Sequence, residues 1–281
     1  MNCGKTFTNK KRIHTDKLIR KYLLDKQIYR VLAKQQIPYK KIQKAIDTLD
    51  FKYPKLAPRS CTVAIDTTYF GRKFGVTIFR DVTNRVVLHW VFVQNENIKA
   101  HIDGINYLVK HEIVILGFVV DGFWSFYTHY RTKYDIQMCQ KHMADRIRRA
   151  TTLNPRLTAS KELKQIADRL SGLNKHEFLL KYNTWLKKWK EFLDEKTYSR
   201  TEKRWIYTHE RVKQAIRSIN RYLPYLFTFE RNHWLPNTNN SIEGFNSGLK
   251  SAIKPHKGLR NDRKAKLIHC YLREKSEFKW R

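Results

Sequence analysis

Residues 61–94 read CTVAIDTTYFGRKFGVTIFRDVTNRVVLHWVFVQ, and residues 113–122 read IVILGFVVDG. The first stretch holds three runs rich in Val, Ile, Phe and Thr: Cys61–Phe70, Lys73–Val82 and Arg85–Gln94. Such runs predict strands, because β-branched and aromatic side chains pack well on a pleated surface. Gly71-Arg72 and Thr83-Asn84 supply the turns between them. Ile113–Val120 is a continuous apolar run, as expected of a strand buried on both faces. Lys99–His111 and Phe123–Lys133 read as helices and Tyr134–Cys139 as a short strand. The predicted order is therefore β-β-β-α-β-α-β, an α/β (α+β) core built on a mixed five-stranded sheet.

Upstream of this core, residues 51–60 (FKYPKLAPRS) carry two prolines and two lysines and read as a linker. Residues 16–52 read as three short helices. Leu18, Ile19, Tyr22 and Leu23 recur at helical spacing, followed by Ile28, Leu32 and Ala33. Pro38 sits at a first helical position. Behind it Ile42 and Ile46 face inward, while Lys40, Lys41, Gln43 and Lys44 face outward. A basic third helix resembles the recognition helix of a helix-turn-helix, which enters the major groove. A plain three-helix packing unit is the alternative, and Gln36-Ile37-Pro38 stands where that motif commonly has glycine. Residues 1–15 are basic, and Cys3-Gly-Lys-Thr-Phe7 looks like the second half of a zinc ribbon. Two ligands are not four, so zinc is doubtful there.

Downstream, residues 151–235 predict a basic, all-helical insertion. Trp185 and Trp189, four apart and so on one helix face, read as core. Residues 236–281 open with Pro-Asn-Thr-Asn-Asn-Ser-Ile-Glu-Gly-Phe-Asn. A helix is expected from Asn239 or Asn240, capped by one of them, through Phe245, Leu249 and Ile253. A basic tail follows.

The chain has 281 residues, and 57 Lys+Arg against 25 Asp+Glu give a net charge of +32, an excess that calls for a polyanionic partner. Hydrophobic residues make up 41% and aromatics 13%, too many for a disordered basic tail. No apolar run approaches the roughly 20 residues that span a bilayer, and the basic start leads into no apolar leader segment. The four cysteines are scattered, which fits a reducing cytoplasm rather than a disulfide framework. A cytoplasmic, nucleoid-associated protein without a membrane is expected.

Among the few acids, Asp66 lies inside a hydrophobic strand and Asp121 ends another. A carboxylate is rarely left there unless it is paired or bound to metal, although an aspartate at a strand end often serves only a turn. Glu243 falls in the first turn of the C-terminal helix, where the helix dipole alone favours an acid. Asn240, Gly244 and Asn246 flank it on a thin, polar helix surface suited to close approach by nucleic acid. Cys139-Gln140-Lys141-His142 follows the last core strand and could be half a zinc site, but no second pair lies at zinc spacing.

Three antiparallel strands followed by βα units resemble a ribonuclease H-like core. Asp66, Asp121, the Cys139–His142 pair, the long insertion and Asn-Ser-Ile-Glu-Gly-Phe-Asn together resemble a bacterial insertion-sequence DDE transposase similar to the Mutator-like family. The division that follows is a basic segment 1–15 and a helix-turn-helix domain 16–52. The core's first part is 60–150, the helical insertion 151–235, and the closing helix with tail 236–281. The resemblance implies that Asp66, Asp121 and Glu243 hold two Mg²⁺ or Mn²⁺ ions about 4 Å apart. Water attack would free a 3′-OH at a transposon end, and that group would attack target DNA in line. Cys139 and His142 would shape the site. Lys40, Lys41, Gln43, Lys44, Arg72, Asn240, Asn246, Lys250 and Lys254 would contact double-stranded DNA, both terminal inverted repeats and target. Holding two ends together implies a homodimer or higher oligomer on DNA. Two other readings stay open: a DNA-binding protein without chemistry, and a structure-selective nuclease on the same fold.

Overall fold

A computed structural model describes residues 15–256 and 258–276, so the basic segment with Cys3 lies outside the described residues. The chain runs through helices α1 (Thr15–Leu23), α2 (Tyr29–Lys34) and α3 (Tyr39–Asp47) into strands β1 (Arg59–Tyr69), β2 (Gly75–Asp81) and β3 (Val87–Val93). Then come α4 (Ile98–Lys110), β4 (Ile113–Val120), α5 (Trp124–Tyr130), β5 (Ile136–Met138) and α6 (Gln140–Thr151). A second helical stretch holds α7 (Thr158–Arg169), α8 (Lys175–Lys188) and α9 (Lys190–Asp194). Strands β6 (Lys196–Ser199) and β7 (Arg204–Tyr207) follow, then α10 (Glu210–Leu226), α11 (Asn240–Ile253) and α12 (Asn261–Glu274). No helix among the described residues is long and apolar enough to cross a membrane.

The chain divides into two compact units, one of residues 56–244 and the other joining the N-terminal residues up to 55 with those from 245 onward. The first break lies within the proline-bearing stretch 51–60, and the second within α11.

The larger unit is built on a mixed five-stranded sheet of order β3-β2-β1-β4-β5. β1, β2 and β3 are antiparallel neighbours, and β4 and β5 run parallel to β1. The strand order follows the β-branched runs. β2 is buried along its whole length. β4 departs from the expectation of burial on both faces: its first half alternates, with Val114 and Leu116 exposed, and only Gly117–Val120 is enclosed. α4 covers one face of the sheet, and Gly104 on α4 lets the helix close onto the Phe79 ring. The core extends from the strands through α6, α7, α8 and α10. Trp185 is buried in it and donates its indole N–H to the Ala159 carbonyl at 2.9 Å.

The insertion is not all-helical. β6 and β7 form an antiparallel hairpin that pairs Tyr198 with Trp205. Thr197, Tyr198, Trp205, Ile206 and Tyr207 are β-formers, but the strands are only four residues long and carry no buried stripe, so no period marks them. Trp205 on this hairpin is 66% exposed.

In the smaller unit α3 packs against α1 and α12. Leu18, Ile19, Leu23, Ile42 and Ile46 are buried in it, as their helical spacing predicts, together with Leu267, Ile268 and Leu272 of α12. Arg263 holds Asp47 at the end of α3 with two hydrogen bonds of 2.8 Å, the bidentate form that fixes geometry best. The turn before α3 places Gln36 at φ 58°, the left-handed conformation that glycine adopts without a Cβ penalty.

Candidate active site

A bulge sets the register of the strands that carry Asp66 and Asp121. The parallel pairing of β1 with β4 sets Cys61 beside Ile115, but Thr62 beside Gly117, so Leu116 is an extra residue on β4. Beyond it Val63 faces Phe118 and Ala64 faces Val119, and that register, continued two residues, would set Asp66 opposite Asp121. Without the extra residue Asp66 would stand opposite Val120. Because side chains alternate between faces, that slip would send Asp121 to the other side of the sheet. The bulge is tied down: Trp234 donates its indole N–H to the Leu116 carbonyl at 3.1 Å, and Thr62 donates its hydroxyl to the Trp234 carbonyl at 2.9 Å.

The turn after β4 is held from several sides. Asp121 Oδ1 accepts the Phe123 N–H at 3.1 Å, the turn role open to any strand-end aspartate. The hydroxyl of Tyr127 donates to the Asp121 carbonyl and that of Tyr222 to the Gly122 carbonyl, both at 2.6 Å. Arg146 also donates to the Gly122 carbonyl at 2.8 Å. A Cβ on residue 122 would stand 2.0 Å from Arg146 Nη2, so glycine leaves room for the guanidinium in its present position.

Glu243 arrives from the first turn of α11 by a set of polar ties. Asn239 precedes the helix, and its carbonyl accepts the Glu243 N–H at 3.1 Å. Its side chain does not cap the helix; it donates to the Ile65 carbonyl of β1 at 3.3 Å, next to Asp66. Its backbone N–H points at Cys139 Sγ, 3.2 Å away. Arg80, a largely buried cation on β2, donates to both the carbonyl and the hydroxyl of Ser241. Gln140 and Asn237 exchange two hydrogen bonds, N–H to carbonyl at 3.0 Å and amide to amide at 3.1 Å. Together these bring the N-termini of α6 and α11 side by side.

Cys139, at the N-cap of α6, is fully buried, and His142 is three residues on. His142 Nδ1 lies 3.6 Å from Glu243 Oε1, and Lys141 hydrogen-bonds Glu243 Oε2. Burial opposes a charge on His142. The hydrogen bond to Cys139 and the negative potential of Cys139, Asp121 and Asp66 outweigh it, and its pKa is pushed up to about 9. His142 thus feels the aspartate pair and touches Glu243. Among the described residues, the group of three metal-ligating side chains whose ligand atoms all lie within 4.8 Å is Cys139, His142 and Glu243; Asp66 and Asp121 are not drawn into it.

One carboxylate at this centre escapes the sequence reading. Glu96, between β3 and α4, accepts the Thr67 hydroxyl at 3.2 Å, and its N–H donates to the Tyr69 hydroxyl at 2.6 Å. Burial first and the charge of Asp121 next, with a smaller part from Asp66, push its carboxyl up to about 7. An Asn-Glu-Asn loop carries no periodic signal, and the only hint is Asn97, which caps α4 through the Ala100 N–H at 2.9 Å.

The expected DNA contacts separate by unit. In the larger one Arg72 and Asn240 are exposed. In the smaller one Lys40, Lys41, Lys44, Lys250 and Lys254 are exposed and Gln43 is half-buried, whereas Asn246 is buried. No model of a known protein family matches the chain, and no curated protein matches it.

Proposed function

We propose that the chain is a DDE-type DNA transposase with a ribonuclease H-like core, cutting at transposon ends and joining them to target DNA. The observation that carries this reading is the β1–β4 register, whose last pair is Ala64 with Val119 and which, continued two residues, would set Asp66 opposite Asp121 just past the end of β4. Such a pair of carboxylates is costly unless a cation joins it. The raised pKa of Glu96 comes first from its own burial and then from the charge of Asp121, with a smaller part from Asp66. An all-oxygen donor set suits Mg²⁺ or Mn²⁺. Asp66 and Asp121 would hold the ions, with Glu243 as the third carboxylate. When bound, such ions stabilise the attacking and leaving oxygens of an in-line displacement.

The remaining roles fall to the chain itself. Lys141 and His142 neutralise Glu243 and fix its carboxylate at the start of α11. Glu96, with a pKa near 7, can take up or release a proton close to the reacting phosphate. Exposed lysines on α3 and α11 and Arg72 supply the phosphate contacts that a net charge of +32 favours.

The test is cleavage of DNA ending in the inverted repeats that flank the gene, with Mg²⁺ or Mn²⁺. Asp66→Asn, Asp121→Asn and Glu243→Gln should each abolish strand cutting while DNA is still bound. Undiminished cutting by any of the three would sink the assignment of that residue. The engagement of Glu243 with Lys141 and His142 favours a second reading, a DNA-binding protein that does not cut. That reading predicts retained DNA affinity with no metal-dependent product in the wild type.

A further inference from the structure

The sequence shows Cys139 and His142 as half of a metal site with no second half. The fold supplies a third ligand from far along the chain. Cys139 and His142 stand at the N-cap and in the first turn of α6, three residues apart and so on one helix side. Glu243 stands in the first turn of α11. The two helix starts are fastened together by the Gln140–Asn237 exchange and by the Asn239 N–H on Cys139 Sγ. One sulfur, one imidazole nitrogen and one carboxylate oxygen then lie within 4.8 Å of one another.

We infer that Cys139, His142 and Glu243 form a zinc site. The donor set decides the metal. A thiolate is a poor ligand for Mg²⁺, whereas sulfur, nitrogen and oxygen together suit a borderline cation that accepts tetrahedral geometry. Cys139 is fully buried, and although the side chains of His142 and Glu243 are 25% and 21% exposed, the facing atoms His142 Nδ1 and Glu243 Oε1 are themselves buried. Three protein ligands leave the fourth position of a tetrahedral zinc to a water or a substrate oxygen. Lys141 holds Glu243 by Oε2, and Oε1 is the oxygen nearer His142, so the lysine contact is compatible with a metal on Oε1. On the transposase reading, which zinc binding itself does not require, zinc at this site and Mg²⁺ at the aspartate pair compete for Glu243.

The experiment titrates the metal-free full-length chain with Co²⁺, a spectroscopic stand-in for Zn²⁺. A thiolate-to-cobalt charge-transfer absorption in the near ultraviolet should appear and be erased by Zn²⁺. Cys139→Ser and His142→Ala should remove it. Glu243→Gln, which keeps the thiolate and a half-exposed surface, should weaken cobalt binding by about tenfold or more. Asp66→Asn and Asp121→Asn should leave the absorption intact even though they abolish DNA cutting. An undiminished absorption in Cys139→Ser overturns the inference. So does unchanged cobalt affinity in Glu243→Gln, or loss of the absorption in the aspartate variants, which would put the metal at the acid pair.

Discussion

Replacing Gly104 by alanine sets two opposed effects against each other. The residue is inside α4, where alanine is favoured over glycine by up to about 1 kcal/mol. A Cβ there would lie 2.1 Å from Cζ and 2.2 Å from Cε2 of Phe79. Carbon atoms rest at about 3.5–4.0 Å, so the overlap exceeds an ångström. Phe79 is fully buried on β2, and its ring has no open space to swing into. Overpacking of a tight core costs about 1–3 kcal/mol, occasionally more, and this overlap belongs at the upper end. The net expectation is a loss of roughly 2 kcal/mol, or about 4–8 °C in Tm for a unit of this size. Gly244 is the control. It is exposed on α11, and a Cβ there meets nothing within 4 Å. Gly244→Ala should therefore gain up to about 1 kcal/mol and melt about 2–4 °C higher. Thermal melts followed by circular dichroism compare the three proteins. A Gly104→Ala protein that melts at or above the wild type would refute the account of how α4 seats on the sheet.

Three further outcomes follow from the site. Asn239→Ala removes the amide that ties the start of α11 to the Ile65 carbonyl; it should cost about 1–3 kcal/mol and reduce DNA cutting more than DNA affinity, and equal losses in both would count against a positioning role. His142 is raised from 6.5 to about 9 in the folded chain. Its contribution to stability, on the order of 3 kcal/mol, is therefore full below about pH 6.5 and disappears as pH rises through 9. The gap in melting temperature between metal-free wild type and His142→Gln should close over that window, and a gap that widens would reverse the sign. Trp205→Ala should change stability by less than about 1 kcal/mol, because the ring is exposed and loses only its cross-strand contact with Tyr198 at 5.7 Å. It should weaken binding of a single-stranded oligonucleotide by about 1–3 kcal/mol if the hairpin stacks on bases, and unchanged affinity removes the hairpin from the DNA surface.

Much of the sheet is legible in local chemistry. β1, β2 and β3 follow from β-branched and aromatic runs broken at Gly71-Arg72 and Thr83-Asn84, because pleat and turn preferences act within a few residues. The β6–β7 hairpin is not legible, since short strands without a buried face leave no period. Asp81 shows why a strand aspartate is weak evidence by itself. It is fully buried like a site residue, yet it serves the next turn through the Thr83 and Asn84 N–H groups at 2.9 and 3.0 Å. Arg80 offered a signal of the same kind as Asp66, a charge inside an apolar strand, and it proves to clamp Ser241 beside Glu243.

By itself the sequence determines the strand runs, the basic charge, an aspartate at the end of β4 and a Cys-x-x-His pair poised to fold into one helical turn. These rest on propensities and spacings that neighbours along the chain can satisfy. Only the tertiary structure decides that Leu116 bulges, which sets the β1–β4 register just ahead of Asp66 and Asp121, and that Glu243 stands with Cys139 and His142. Register and side-chain juxtaposition across more than fifty residues are set by how the strands pair and by which carbonyls the long-range amides reach. No local period carries that information.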